Sequence, residues 1–173
     1  MTIYTIGHSN QPLDAFLRLL KEHKIEVVVD VRSTPVSKYA THFNQKEFAP
    51  ALSKAGAKYV YMGTELGGRP QTSDYYDTKH RVLYDQVARS PAFRQGISRL
   101  MDGMTKYRIA IMCSEEDPSN CHRRLLIGQL LANTGIQVAH IRGNGAIQTE
   151  ADLNCLERAA SEREPQLALF EST

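Results

Sequence analysis

Between Glu26 and Asp30 the chain reads Val27-Val28-Val29, three β-branched residues with no polar break. A strand that is apolar on both faces belongs inside a parallel sheet, with helices covering it above and below. Parallel neighbours cannot be joined by tight hairpins, so this run requires crossover segments elsewhere in the chain. The sequence supplies them. Ile3-Tyr-Thr-Ile6, ended by Gly7, reads as a first strand, Glu26–Asp30 as the second, and Lys58–Tyr61 as the third. Arg108–Met112 and Gln137–Ile141 read as a fourth and a fifth. Leu13, Phe16, Leu17 and Leu20 recur at helical spacing behind Asn10, a candidate cap, and Pro12. Further helices are expected from Phe43 to Ala55, ended by Gly56, and in pieces from about Tyr75 to Met101, punctuated by Ser90-Pro91. Another should run from Cys121 to about Asn133, capped by Asp117-Pro-Ser-Asn120 and stopped by Gly135, and a last one from about Thr149 to Arg163. Residues 63–73 read as a long loop. The expected architecture is an α/β three-layer sandwich with a mainly parallel central sheet of about five strands. Residues 1–164 form one domain in this reading, and Pro165 releases a flexible tail over 165–173.

The bulk numbers narrow the function classes. A chain of 173 residues can bury a substantial core within one domain, and a formal net charge of +2 provides no global field for nucleic acid or anionic membrane. Any basic surface must be local. The three cysteines are an odd number, and the opening Met-Thr-Ile-Tyr has neither the basic nor the apolar region of an export signal. No stretch approaches the length of a membrane span. The expected setting is the cytoplasm, without a membrane partner, where cysteines serve as thiols, ligands or nucleophiles.

Ligands of open parallel sheets bind outside the carboxyl ends of the strands. The unusual polar residues of this chain fall at those ends: Gly7-His8-Ser9, Asp30-Val-Arg32, Gly63-Thr-Glu65, Cys113-Ser-Glu115 and His140-Ile-Arg142. Each has an ordinary structural alternative, as a cap, a loop anchor or a surface ion pair. Their convergence points to a pocket.

The most chemical of these segments is Cys113-Ser-Glu-Glu-Asp-Pro-Ser-Asn-Cys121-His122-Arg123. Cys113 closes a buried strand and faces the amino end of the next helix, a field that lowers a thiol's pKa and favours anions. Cys121 would feel that field more directly, with His122 as acid or base and Arg123 as an anion contact. Two alternatives stand beside this one. Free cysteine is often just a small buried hydrophobe, and Cys113, Cys121 and His122 could join His8 or His140 around a metal. The spacing C-x7-C-H is not a standard zinc signature, so no metal and no particular cofactor is assigned. The three carboxylates Glu115, Glu116 and Asp117 oppose a pure oxyanion cradle, and Glu115 is a candidate general base.

The loop Arg32–Asn44 interleaves Arg32, Lys38 and His42 with Tyr39 and Phe43, a mixture suited to phosphate contact and base stacking or to a lid. Tyr75 and Tyr76, after Gly67-Gly-Arg69-Pro70, are candidates for a second wall.

Four motifs in order resemble one family: Ile6-Gly-His-Ser9, Val29-Asp-Val-Arg-Ser33 with Pro35, Glu65-Leu-Gly-Gly68, and Cys113-x-Glu-x-Asp-Pro-x-x-Cys-His-Arg123. Together they are similar to the DUF488 family, from about residue 3 to residue 145. The resemblance implies that His8, Ser9, Asp30, Arg32, Glu65, Cys113, Glu115, Cys121, His122 and Arg123 are signature positions. A looser likeness to the rhodanese group and its related phosphatases rests on Val-Asp-Val-Arg and on a strand ending in Cys before a loop, Arg and helix. The longer acidic loop departs from that group. Gln166-Leu-Ala-Leu-Phe170 resembles the pentapeptide by which bacterial replication and repair proteins dock on the DNA sliding clamp, with Gln166, Leu167, Leu169 and Phe170 as the contacts. The resulting expectation is an enzyme acting on a nucleotide or nucleic-acid-like substrate. Cys113, Glu115, Cys121 and His122 would be catalytic, and His8, Ser9, Asp30, Arg32, Glu65 and Arg123 would bind substrate. Its alternative is a non-catalytic binding module that the tail delivers to the clamp.

Overall fold

The valine run is buried from end to end. In the computed structural model, which describes the backbone of residues 1–168 and the side chains up to residue 160, Val27–Asp30 forms strand β2 and every residue of it is buried. It joins β1 (Thr2–Gly7), β3 (Lys58–Tyr61), β4 (Ile109–Cys113), β5 (Gln137–Ile141) and β6 (Ile147–Thr149) in one sheet of order β3-β2-β4-β1-β5-β6. All pairings are parallel except that of β5 with β6.

The two-residue period of the strands sorts the core into two layers. Ile3, Val27, Val29, Ile109, Ile111 and Val138 face one side, where α3 (Gly63–Leu66), α4 (Tyr84–Arg89), α5 (Pro91–Met104) and α6 (Gln129–Asn133) cover them. Tyr4, Ile6, Val28, Ala110 and Met112 face the other, beneath α1 (Leu13–Glu22) and α2 (Gln45–Lys54). The result is the expected α/β sandwich of three layers. No helix among the described residues is long and apolar enough to cross a membrane.

This topology decides where the functional side chains meet. From β1 the chain crosses over β4 to reach β2; from β4 it crosses over β1, on the opposite face, to reach β5. Connections that leave adjacent strands in opposite directions open a crevice at their carboxyl ends. Gly7 pairs with Cys113 there, and Asp30 pairs with Met112.

Several local elements differ from the sequence reading. The turn Gly143-Asn-Gly145 does not lead straight into a helix. It makes a hairpin, with Gly145 at φ +86° and its N–H donating to the Arg142 carbonyl at 2.9 Å, and it adds the short edge strand β6. Three residues are too few to show a strand pattern. The first helix starts after Pro12 without a side-chain bond from Asn10. The helix expected from Cys121 is interrupted. Asp117 caps only a 3₁₀ turn, Pro118–Asn120, Cys121 follows in extended backbone, and the first helical stretch, Arg123–Gly128, is wound as a π-helix ahead of α6. Ser90 does cap α5, accepting from the Phe93 N–H at 3.2 Å. The last helix, α7 (Glu150–Ala168), continues past Pro165. A proline deletes one N–H from the ladder and leaves its neighbours, so a helix can carry one, as α2 does at Pro50.

A buried polar chain ties α7 to the sheet. Arg124, fully buried, donates through Nε to Glu150 at 2.9 Å and through Nη2 to Asn154 at 3.1 Å and Glu157 at 3.0 Å. Glu150 also accepts from His140 Nε2 at 3.1 Å, and His140 Nδ1 takes the Thr5 hydroxyl at 2.8 Å. Burial holds His140 below its ordinary pKa, as this neutral tautomer requires. Removing one partner of a buried ion pair strands the other. Arg124→Ala should therefore lower stability by about 3 kcal/mol, read as a lower urea midpoint; an unchanged midpoint would show that the pair does not anchor α7.

Candidate functional site

The segment after β4 returns across the end of β1. A Cβ on Gly7 would collide with the Glu115 carbonyl, so only glycine lets the two backbones lie this close. Arg123, fully buried, holds the loop in place. Its Nη1 and Nη2 donate to the carbonyls of Glu115 and Glu116, the latter at 2.6 Å, and its Nε reaches the Thr5 hydroxyl at 3.3 Å. The expected anion contact is thus a loop anchor, and it does not line the cleft.

What the folded loop brings together is Cys113, Cys121 and His122. His122 Nε2 lies 3.0 Å from the Val31 carbonyl, which fixes the proton on Nε2 and leaves Nδ1 as the acceptor. Nδ1 is 3.7 Å from Cys113 Sγ and 4.0 Å from Cys121 Sγ. Gly68 backs the ring closely enough that a Cβ there would displace it. A thiol beside a base oriented by a third group is the arrangement of activated cysteine nucleophiles.

The two thiols divide one proton unequally. Cys121, donating to the Cys113 sulfur, is the main influence holding Cys113 below the ordinary thiol range; burial opposes it, while the N–H groups of Ser114 and Glu115 and the charge of Arg123 reinforce it. Cys121, which keeps the shared proton and is itself buried, is pushed up to about 12. Of the pair, Cys113 is therefore the one that gives up its proton first.

These groups open into a cleft of about 390 Å³, lined also by Arg32, Ser33, Thr34, Val36, Ser37, Gly68, Arg69, Tyr84, Ser114, Glu115 and Asn120. Arg32 forms its wall from within. It clamps Asp30 through Nε at 2.9 Å and Nη2 at 2.6 Å, donates to the Phe43 carbonyl at 2.7 Å, and gives an Nη1 hydrogen to His8 Nε2 at 3.1 Å. Tyr59 donates to the same Asp30 carboxylate at 2.7 Å. Asp30 and His8 are therefore the supports of Arg32, and these bonds use four of its five guanidinium hydrogens, all but one on Nη1. Ser9 borders an adjoining hollow with His8, Tyr39 and Ser114.

Other sequence candidates take different places. Glu65 pairs with Arg99 and lies off the cleft. Of the three carboxylates, Glu116 is held by Arg142 at 2.7 Å and by the Gly143 N–H at 2.9 Å, and Asp117 caps Ser119 at 2.9 Å. Both are held below the usual carboxylate range by these partners, and only Glu115 faces the cleft. In the Arg32–Asn44 loop, Phe43 is a core anchor stacked on His8, whereas Tyr39 is 91% exposed. Tyr76 bonds the Pro70 carbonyl and Tyr75 packs into the core; the aromatic wall is Tyr84, which no sequence pattern marked. Gly68 belongs to the Glu65-Leu-Gly-Gly68 motif and Arg69 to the loop after it, and nothing in the sequence places either in the cleft they line. Leu169 and Phe170 of the tail pentapeptide, and the side chains of Gln166 and Leu167, lie outside the described residues.

His8 offers a test of this wall. Its Nδ1 donates to the Ser9 carbonyl at 2.7 Å, and burial, with Arg32 alongside, lowers its pKa to about 4. An unfolded histidine titrates at about 6.5, so between these values the unfolded chain takes up a proton that the folded chain refuses. The stability due to neutral His8 is complete above the higher value and is lost as pH falls toward the lower one. In this window the urea midpoint of wild type should fall more steeply than that of His8→Gln, and equal slopes would refute the assignment.

The family model described as "Domain of unknown function DUF488" matches residues 12–130. No curated protein matches the chain. No solved structure matches it. With a match over more than half its length, the chain belongs to the DUF488 family.

Proposed function

We propose that this protein is a thiol-dependent enzyme acting on an anionic, nucleotide-sized substrate. Cys113 is the nucleophile and His122 the acid/base. The observation that carries this reading is the contact of Cys113 Sγ with a His122 Nδ1 whose ring is oriented by Val31. The cleft supports it with Arg32 and Arg69 for an anion, the hydroxyls of Ser33, Thr34 and Ser37, and the Tyr84 ring. Its volume of about 390 Å³ is within the range of small-molecule sites. With Glu116 and Asp117 bound to other partners, the acidic loop opposes an anion less than its composition implies. Cys121 is a positioning residue that donates to the thiolate.

The reading is tested first without a substrate. Reduced, chelator-treated protein should be alkylated by a haloacetamide at Cys113 at neutral pH, located by peptide mass. Gly68→Ala, which moves His122 while sparing both thiols, should slow that labelling about tenfold or more, against the roughly 10²–10⁴ that a positioned base contributes. With a panel of mononucleotides, Cys113→Ala should abolish turnover while the chain stays folded. A Cys113→Ala protein that keeps full turnover, or a Cys113 that resists alkylation, overturns the proposal.

A second reading, a binding module without catalysis, is favoured by Tyr39 standing 91% exposed next to the exposed Lys38. Such a pair suits base stacking and phosphate contact. In this reading the Gln166–Phe170 segment docks the module on the DNA sliding clamp. Removing residues 166–173 should then abolish clamp binding, and retention of binding sinks the docking idea.

A further inference from the structure

We propose that Cys113, Cys121 and His122 also form a binding site for a thiophilic divalent cation of the zinc class, and that its occupancy masks the nucleophile. The cation site stands without the enzyme reading, and the masking of the nucleophile rests on that reading.

The argument is geometric. The donor atoms Cys113 Sγ, Cys121 Sγ and His122 Nδ1 lie within 4.8 Å of one another, with the nitrogen 3.7 Å and 4.0 Å from the two sulfurs. Metal–sulfur bonds of about 2.3 Å and metal–nitrogen bonds of about 2.0 Å, at tetrahedral angles, set such donors roughly 3.5–3.8 Å apart. The two nitrogen–sulfur edges need to contract by only a few tenths of an ångström, and the sulfur–sulfur edge by no more than about 1 Å. The imidazole is already in the tautomer that a metal requires: Nε2 donates to the Val31 carbonyl at 3.0 Å, so the Nδ1 lone pair is available. A carbonyl partner on the far ring nitrogen is the usual outer-shell support of a metal-binding histidine.

The ligand types choose the ion. Two sulfurs and one imidazole nitrogen favour zinc and its soft analogues over magnesium or calcium, which take oxygen ligands. All three residues line the cleft, so the fourth coordination position opens to water or to a ligand. Any proton still held by either sulfur is released on binding, and the two thiolates balance the ion's charge. Cys113 cannot attack an electrophile while it is a ligand. Cation and substrate therefore compete for one sulfur.

The test uses the full chain, reduced and stripped of metal by a chelator, with cobalt(II) and zinc(II) as probes. Cobalt should bind one per chain with the thiolate-to-cobalt charge-transfer band and strong visible bands of a four-coordinate site, and zinc should bleach both. Cys121→Ser should weaken cobalt binding at least about a hundredfold, beyond the roughly 10–100-fold that loss of an outer-shell partner costs. Cys155→Ser, which removes the exposed thiol on α7, should bind as wild type does. A measurement on the unaltered chain covers the case in which Cys121→Ser fails to fold: zinc should protect Cys113 and Cys121, and not Cys155, from alkylation. Absence of the charge-transfer band overturns the proposal, as does full binding by Cys121→Ser or protection confined to Cys155. The two readings fail separately. Cobalt binding with an inert metal-free Cys113 retains the cation site and removes the nucleophile; rapid alkylation with no cobalt band does the reverse.

Discussion

The site depends on a guanidinium that never reaches it. Arg123 is fully buried behind the cleft, and its hydrogen bonds run to the Glu115 and Glu116 carbonyls and to Thr5. Buried carbonyls need donors, and an arginine presents several in a fixed fork. By holding these two carbonyls, Arg123 folds the chain after Cys113 down across Gly7. It then returns through the Pro118–Asn120 turn to set Cys121 and His122 beside the residue it started from.

From Thr5, Arg123 is continuous with a second buried network. The Thr5 hydroxyl accepts from Arg123 Nε and donates to His140 Nδ1; His140 Nε2 donates to Glu150, which Arg124 holds in turn. Neighbouring arginines thus have opposite duties, one shaping the thiol loop and one docking α7. No buried side-chain nitrogen or oxygen among the described residues is left without a partner. Both arginines are spent on architecture, so the cleft draws its positive charge from Arg32 and Arg69.

Arg32 shows the same economy. Asp30, Tyr59, His8 and Phe43 together fix its guanidinium, so a charged group is presented to the cleft in one geometry rather than on a flexible stem. Preorganised charge of this kind is costly to assemble and effective once assembled.

How much of this could be read from the chain alone follows from the range of each interaction. The valine run, the helical spacings and the strand-end placement of His8, Asp30, Arg32 and Cys113 are local patterns, and they determined the sheet, its layers and the edge at which the cleft lies. Duties within the site were not local. Arg123 and Glu65 have the residue types of ligand contacts, yet the fold turns one to main-chain carbonyls and the other to Arg99. Tyr84, Gly68 and Arg69 reach the cleft only because α4 and the Gly67–Arg69 loop pack beside His122 and Ser33, across separations that no periodicity records. The sequence by itself determined which reactive side chains are present and at which end of the sheet they gather. Only the tertiary structure decided which of those groups meet the cleft and which hold it in shape, because a buried polar side chain bonds to whatever distant backbone the fold brings to it.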